Sequence, residues 1–185
     1  ANYTMEAAVR FDNSSQGMVF GTSTTSYRQG LHIGAGSNAR VYQGHYAMDG
    51  SSANNTLTSD VWYHLMWTFD KSAGEMKMYL DGSLIQTQTG KLSFLGTSNI
   101  MLSRYWAYSA LDLAYARIYD TVFTSSQVSI LYNEYNSLVD TVIEDSLFLS
   151  VDASNSNSYS GSGTTWTDLT GNGYNGTLIL SLIHI

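Results

Sequence analysis

Residues 62 to 82 constrain the fold more than any other stretch. Tyr63, Leu65, Trp67 and Phe69 alternate with Trp62, His64, Met66, Thr68 and Asp70. Bulky side chains at period two mark a β-strand, because successive residues leave opposite faces of the pleat. The small, polar Lys71-Ser72-Ala73-Gly74 segment fits a hairpin loop. A second run places Met76, Met78 and Leu80 on one face and Lys77, Tyr79 and Asp81 on the other, and Asp81-Gly82 supplies a further turn. A hairpin of this weight seeds the core of a sheet protein. Its register puts Trp67 and Phe69 inside and Trp62 at the sheet margin.

Composition agrees with an all-β reading. Only 12% of the 185 residues are charged, against about 25% in typical domains, so the surface is largely neutral and polar. Fourteen Tyr and four Trp in a chain poor in Lys favour strands over helices. The net charge is −7 and the eight basic residues are scattered singly, which argues against nucleic acid as a partner. No apolar run approaches the roughly 20 residues of a membrane span. There is no cysteine, so no disulfide constrains the fold.

Further strands are expected at Tyr3–Phe11, with Tyr3, Met5, Ala7, Val9 and Phe11 on one face, and at Gln16–Thr22, Gly30–Gly34 and Ala39–Tyr42. Residues 43–60 read as a long loop. Gly90–Leu95, Asn99–Ser103 and Leu113–Tyr119 complete the set, with a rim loop at Arg104–Ser109. Many short strands with polar turns indicate an antiparallel β-sandwich or jelly roll. One short helix follows the last of these strands. Thr124-Ser125-Ser126-Gln127 is a capping box, in which the hydroxyl accepts from the Gln127 N–H and the glutamine side chain reaches back. Val128, Leu131, Tyr132 and Tyr135 then share a helical face.

Two of these segments carry a family resemblance. Trp62, His64, Leu65 and Thr68-Phe69-Asp70, followed by Met78-Tyr79-Leu80-Asp81-Gly82, resemble the central hairpin of laminin-G-like jelly-roll domains of the concanavalin A-like lectin and glucanase superfamily. Ala116-Arg117-Ile118-Tyr119-Asp120 through Leu131-Tyr132 resembles that family's closing strand and helix. The resemblance covers roughly residues 3–135. It implies a jelly-roll domain over residues 1–136 that lacks its first strand, with a connector at 137–146. Residues 147–179, with the Trp166, Asp168-Leu169, Gly171-Asn172-Gly173 and Asn175-Gly176-Thr177-Leu178 string, resemble the opening of a second domain of the same superfamily, of a type common in phage and bacterial surface proteins. Strand Leu147–Val151 is then expected to fill the vacant place on the first domain, with residues 154–163 as surface loop. The tail 180–185 reads as a sequencing artefact or, alternatively, as a native apolar strand.

The chemistry expected is binding rather than catalysis. Glucanases of the superfamily carry a Glu-x-Asp-x-Glu strand whose glutamates do the work. Here Glu6, Glu75, Glu134 and Glu144 stand apart. His64 reads as a strand residue satisfied by a polar neighbour, and no histidine pair shows metal-ligand spacing. Saccharides are held by aromatic rings stacked on their apolar faces and by planar polar groups. The candidate ligand-binding residues are Tyr42, His45, Tyr46, Arg104, Tyr105, Trp106 and Tyr108, and the opposing reading is that these rings only cover sheet edges. Several laminin-G-like domains hold calcium, for which Asp49 and Asp112 are the candidates, although no dense acidic loop is present.

The function expected is a non-catalytic glycan-binding or adhesive module of a multi-domain extracellular or virion surface protein. Its partners would be a glycan or cell-surface polysaccharide and other domains of the same polypeptide. The alternatives are a structural decoration or spacer domain without a ligand, and an accessory domain of a glycoside hydrolase whose catalytic part lies outside the fragment.

Overall fold

The structure, a computed structural model, describes residues 1–14, 17–103, 109–137 and 147–178. Its strands are β1 (Tyr3–Phe11), β2 (Gly17–Gly21), β3 (Leu31–Gly36), β4 (Arg40–His45), β5 (Asp49–Ser51), β6 (Trp62–Asp70), β7 (Glu75–Leu80), β8 (Ser83–Gln88), β9 (Met101–Leu102), β10 (Leu111–Tyr119) and β11 (Leu147–Asp152). One helix, α1 (Ser125–Ser137), lies between β10 and β11, and a small ribbon is made of β12 (Thr165–Trp166) and β13 (Gly176–Thr177). The strands form a six-stranded sheet, β11-β10-β1-β6-β7-β8, and a five-stranded sheet, β5-β4-β3-β2-β9. All pairings are antiparallel, and the architecture is a jelly-roll β-sandwich with one short helix.

The core lies between the sheets, where alternation sends the apolar residues. From β1 it receives Met5, Ala7, Val9 and Phe11, and from β6 Leu65, Trp67 and Phe69, with Tyr3 and Tyr63 at its edges. Ile33 and Val41 come from the facing sheet. Phe20 meets the Trp67 ring edge-on at 6.3 Å. Trp62 sits at the margin, 43% exposed, with the Arg10 guanidinium 5.8 Å over its ring.

Alternation alone would leave the opposite face of the six-stranded sheet in water, but Thr4, Glu6, His64, Met66, Thr68 and Tyr79 are buried there too. The helix is the reason. The capping box forms as its sequence predicts, with Thr124 N–H donating to Gln127 Oε1 at 2.9 Å and Gln127 N–H to Thr124 Oγ1 at 3.3 Å. Helix α1 then lays Val128 and Leu131 on Met66, Tyr79, Tyr119 and Phe123, making a second apolar layer.

The largest departures from expectation lie between the strands. Residues 43–60 are not one long loop: β4 continues to His45 and β5 pairs with it at Tyr42↔Ser51, Gln43↔Gly50 and Gly44↔Asp49. Gly90–Leu95 is not a strand. Its backbone groups bond singly to separate partners, Lys91 N–H to Gly74 O and Leu95 N–H to Arg28 O, so no ladder forms. Strand β8 takes the edge place instead.

Leu147–Val151 docks as expected, pairing with β10 from Tyr115↔Asp152 to Tyr119↔Leu147. Val151 and Trp166 enter the main core. The outer edge of β11 is then closed by a turn organised on Asp168. Its carboxylate accepts from Ser150 N–H and Thr170 N–H at 3.0 Å each and from the Thr170 hydroxyl at 2.7 Å, while Leu169 N–H donates to Ser150 O at 2.8 Å. An edge covered this way presents no free row of donors and acceptors there. The connector 138–146 and the tail 179–185 lie outside the described residues.

Trp67 and Trp62 offer a direct test of the register. Trp67→Ala, which empties a fully buried site, should cost ~3–5 kcal/mol and lower the melting temperature by roughly 10 °C. Trp62→Ala should shift it by only a degree or two. Equal shifts in calorimetry would contradict the register.

Candidate functional site

The helix closes one broad face of the sandwich. The other, the outer face of the five-stranded sheet, gathers a row of rings. In the β3–β4 register, His32 lies opposite Gly44 and Gly34 opposite Tyr42. Leu31, Ile33 and Ala35 point inward, so His32 points out. The same parity sends Val41, Gln43 and His45 inward and Arg40 and Tyr42 outward, and β5 adds Asp49 and Ser51 to the outer side.

On this face the His32 ring stacks on Tyr42, with centroids 5.4 Å apart and planes at 29°, and meets Tyr46 edge-on at 6.2 Å. His32 Nε2 lies 2.8 Å from Asp49 Oδ1. Gly44 makes this possible, since a Cβ there would run into the His32 ring and the Asp49 carboxylate. Burial works against ionisation of Asp49. The hydrogen bond and charge of His32, the Tyr42 hydroxyl and Lys91 outweigh it and hold the carboxyl below its usual value. The tyrosines are half-buried, and 36% of the Asp49 side chain remains exposed. Two tyrosine rings flanking a carboxylate can stack on a flat apolar ligand surface and accept from its hydroxyls.

Tyr42 and Tyr46 are therefore brought together, but His45 is not with them. The long-loop reading placed it toward a ligand, whereas it is a buried residue of β4. Its Nδ1–H donates to Leu92 O at 2.8 Å, and its Nε2 accepts from the Tyr3 hydroxyl at 2.8 Å. Burial pushes its pKa down to about 4, so it is neutral near pH 7. Arg104, Tyr105, Trp106 and Tyr108 lie outside the described residues. The flanking Ser103 and Ser109 bond to each other, Ser109 N–H to Ser103 O at 3.0 Å and Ser103 Oγ to Ser109 O at 2.7 Å.

The calcium pair also separates. Asp49 belongs to the five-stranded sheet and Asp112 to β10 of the other. Asp112 is taken by Arg10, whose Nε donates to it at 2.6 Å. Among the described residues no group of three His, Asp or Glu side chains is placed to hold a metal ion. Nor is any helix among them long and apolar enough to cross a membrane.

His64 meets its expected polar neighbour beneath the helix. Its Nε2 donates to Glu6 Oε1 at 2.9 Å, the Tyr115 and Tyr119 hydroxyls donate to Glu6 at 3.0 and 2.9 Å, and Arg117 Nη1 lies 3.5 Å away. Burial opposes ionisation of Glu6, but these partners reverse it and hold its pKa below the ordinary 4.5. Among the described residues no second carboxylate hydrogen-bonds to Glu6, and α1 roofs the network. Glu6 is therefore a structural anion.

His32 and Gly44 were not singled out in the sequence, although a signal was there. In Gly30-Leu31-His32-Ile33-Gly34 the histidine alternates with two apolar residues, and extending β4 through His45 sets Tyr42 and Gly44 opposite Val41 and Gln43.

A family model described as the concanavalin A-like lectin/glucanases superfamily matches residues 1–129. The chain belongs to this superfamily. Among solved structures it is similar to a putative carbohydrate binding protein from Bacteroides ovatus, with a TM-score of 0.70, 20% identity, and coverage of 95% of this chain and 51% of that one. It thus spans about half the length of that relative. Domain 4 of an extracellular arabinanase from Geobacillus stearothermophilus, solved with arabinotriose, superposes with a TM-score of 0.54 and 19% identity over 71% of this chain and 66% of that one. The CBM40 of a Ruminococcus gnavus sialidase, solved with sialyllactose, gives 0.54 and 13% over 71% and 82%. At these identities the likeness concerns the fold. No curated protein matches the sequence.

Two outcomes follow from the geometry. Gly44→Ala should displace the His32 ring and break its bond to Asp49, seen as a changed imidazole signature in 15N NMR with little change in far-UV dichroism. An unchanged His32 spectrum would contradict the packing. For Glu6 the sign is that of a depressed carboxylate. The stability it contributes is complete above the unfolded-chain value of about 4.3 and is lost as pH falls below it. Between about pH 5 and 3 the parent should therefore lose stability faster than Glu6→Gln, by up to about 1.4 kcal/mol per pH unit, in denaturant titrations.

Proposed function

We propose that the chain is a non-catalytic carbohydrate-binding module, working outside the cell as part of a larger surface protein, and that its ligand lies across the outer face of the five-stranded sheet. The observation that carries this reading is the contiguous set His32, Tyr42 and Tyr46 with the half-exposed Asp49, on the broad face that the helix leaves open. Half-buried tyrosines that are fixed by neighbours lose little entropy on contact with a sugar ring. An aspartate kept ionised is ready to accept from its hydroxyls. Solved structures of similar fold with saccharides bound support the reading by analogy. So does the state of Glu6, which is fully buried beneath the helix.

The test is a titration with soluble polysaccharides, by affinity electrophoresis and calorimetry. Tyr42→Ala and Tyr46→Ala should each weaken binding by ~1–3 kcal/mol without changing the fold. No reducing ends should be released from any polysaccharide that is bound. Parent-like affinity in both tyrosine variants would remove this face from the function.

A further inference from the structure

Six of the seven Lys and Arg side chains among the described residues divide into two groups; the seventh, Lys71, stands exposed at the tip of the β6–β7 hairpin. Arg10 is paired with Asp112, Lys77 with Glu75 and Arg117 with Glu6. Arg28, Arg40 and Lys91 have no carboxylate side chain as an ion-pair partner among the described residues. They are held instead by neutral oxygens: Arg28 Nε by Ser93 O at 2.8 Å, Arg40 by Ser37 O at 2.8 Å and by Ser51 Oγ, and Lys91 Nζ by the backbone carbonyl of Asp49. A backbone carbonyl fixes a cation in place without neutralising it, although the charge of Lys91 also acts on the nearby Asp49 carboxylate.

Two of the three stand at the ring face. Arg40 shares the outer side of β4 with Tyr42, at one end of the row. Lys91 reaches the Asp49 carbonyl toward the other end, whereas the Arg28 guanidinium is held by Ser93 O and lies over the Tyr27 ring. Along the strand the row from Arg40 to Tyr46 spans roughly 20 Å, enough for an extended chain of several sugar units. Asp49 is the one carboxylate among these residues. The next nearest on Lys91's side belong to the hairpin tip that Gly74 brings against it, and both are engaged: Asp70 accepts from Ser72 and Ala73, and Glu75 pairs with Lys77. In a protein of net charge −7, a face on which fixed cations outnumber carboxylates runs against the overall balance.

We propose, resting on the carbohydrate-binding reading above, that this face selects an anionic saccharide, one bearing carboxylate or sulfate groups, with Tyr42 and Tyr46 under the sugar rings and Arg40 and Lys91 at its charged substituents. Asp49 takes hydroxyls beside Lys91 and disfavours an acid group directly over itself. Charge is therefore read at the two ends and ring shape in the middle. Exposed pairs of this kind are screened by salt, so the selectivity depends on ionic strength.

The experiment compares matched probes that differ only in charge: polygalacturonate against its full methyl ester, and a sulfated against an unsulfated galactan. Affinity is measured on the whole chain by calorimetry at low salt and at about 1 M sodium chloride. In at least one pair the charged member should bind about tenfold more tightly at low salt, with the gap closing at about 1 M, where the Debye length is about 3 Å. Arg40→Gln and Lys91→Gln should each weaken the charged member several-fold and the neutral one much less. Equal or tighter binding of the neutral members would overturn the charge selectivity while leaving the saccharide reading intact. Retention of no polysaccharide, neutral or charged, would overturn both.

Discussion

The structure depends on the double burial of strand β1. It is central in the six-stranded sheet, between β10 and β6, with one face in the main core and the other beneath α1. A strand buried on both sides has no solvent for polar side chains, yet β1 carries Glu6. The cost of a buried carboxylate is offset only by hydrogen bonds from His64, Tyr115 and Tyr119 together with the charge of Arg117. These partners come from β6 and β10, the two neighbours of β1, so one anion ties the three central strands together. Tyr132 and Tyr135 of the helix pack on the His64 ring, which joins the roof to the same network.

Closing that face has a consequence for function. A jelly roll has two broad outer surfaces, and one of them is occupied by α1. The face left open is that of the five-stranded sheet, where glycine at position 44 lets His32 lie flat and reach Asp49. The two histidine–carboxylate contacts thus have opposite meanings. His64–Glu6 is fully buried and holds strands together, whereas His32–Asp49 leaves about a third of the Asp49 side chain exposed beside two tyrosine rings.

Much of the fold is legible in the sequence because period-two alternation is strong where both kinds of residue are large. Trp67, Phe69, Met76 and Met78 are all fully buried, and the Asp81-Gly82 turn takes the positive φ angles that this dipeptide favours. The capping box at Thr124 was equally plain. Residues 43–51 were harder: they mix Gly, Ala and Ser with Gln, His, Tyr, Met and Asp and carry no apolar period, and β5 is held by its ladder with β4. Hence His45 read as a loop residue although it shares the parity of Val41. The partnership of Glu6 with His64 spans 58 positions, and no local pattern announces it. The charge reading of the site has the same character. Arg40 and Lys91 are far apart along the chain, and the β3–β5 ladders with the 89–95 segment bring them to one face.

The central claim is that the outer face of β3, β4 and β5 receives the ligand. The most direct measurement is chemical-shift mapping of the 15N-labelled chain during titration with galacturonate oligomers and their neutral methyl esters. The account predicts perturbations concentrated at His32, Tyr42, Gly44, Tyr46 and Asp49 and absent from the Glu6–His64 network beneath α1. Perturbations confined to the helix side or to the β11 edge, with the β3–β5 face unmoved, would contradict it.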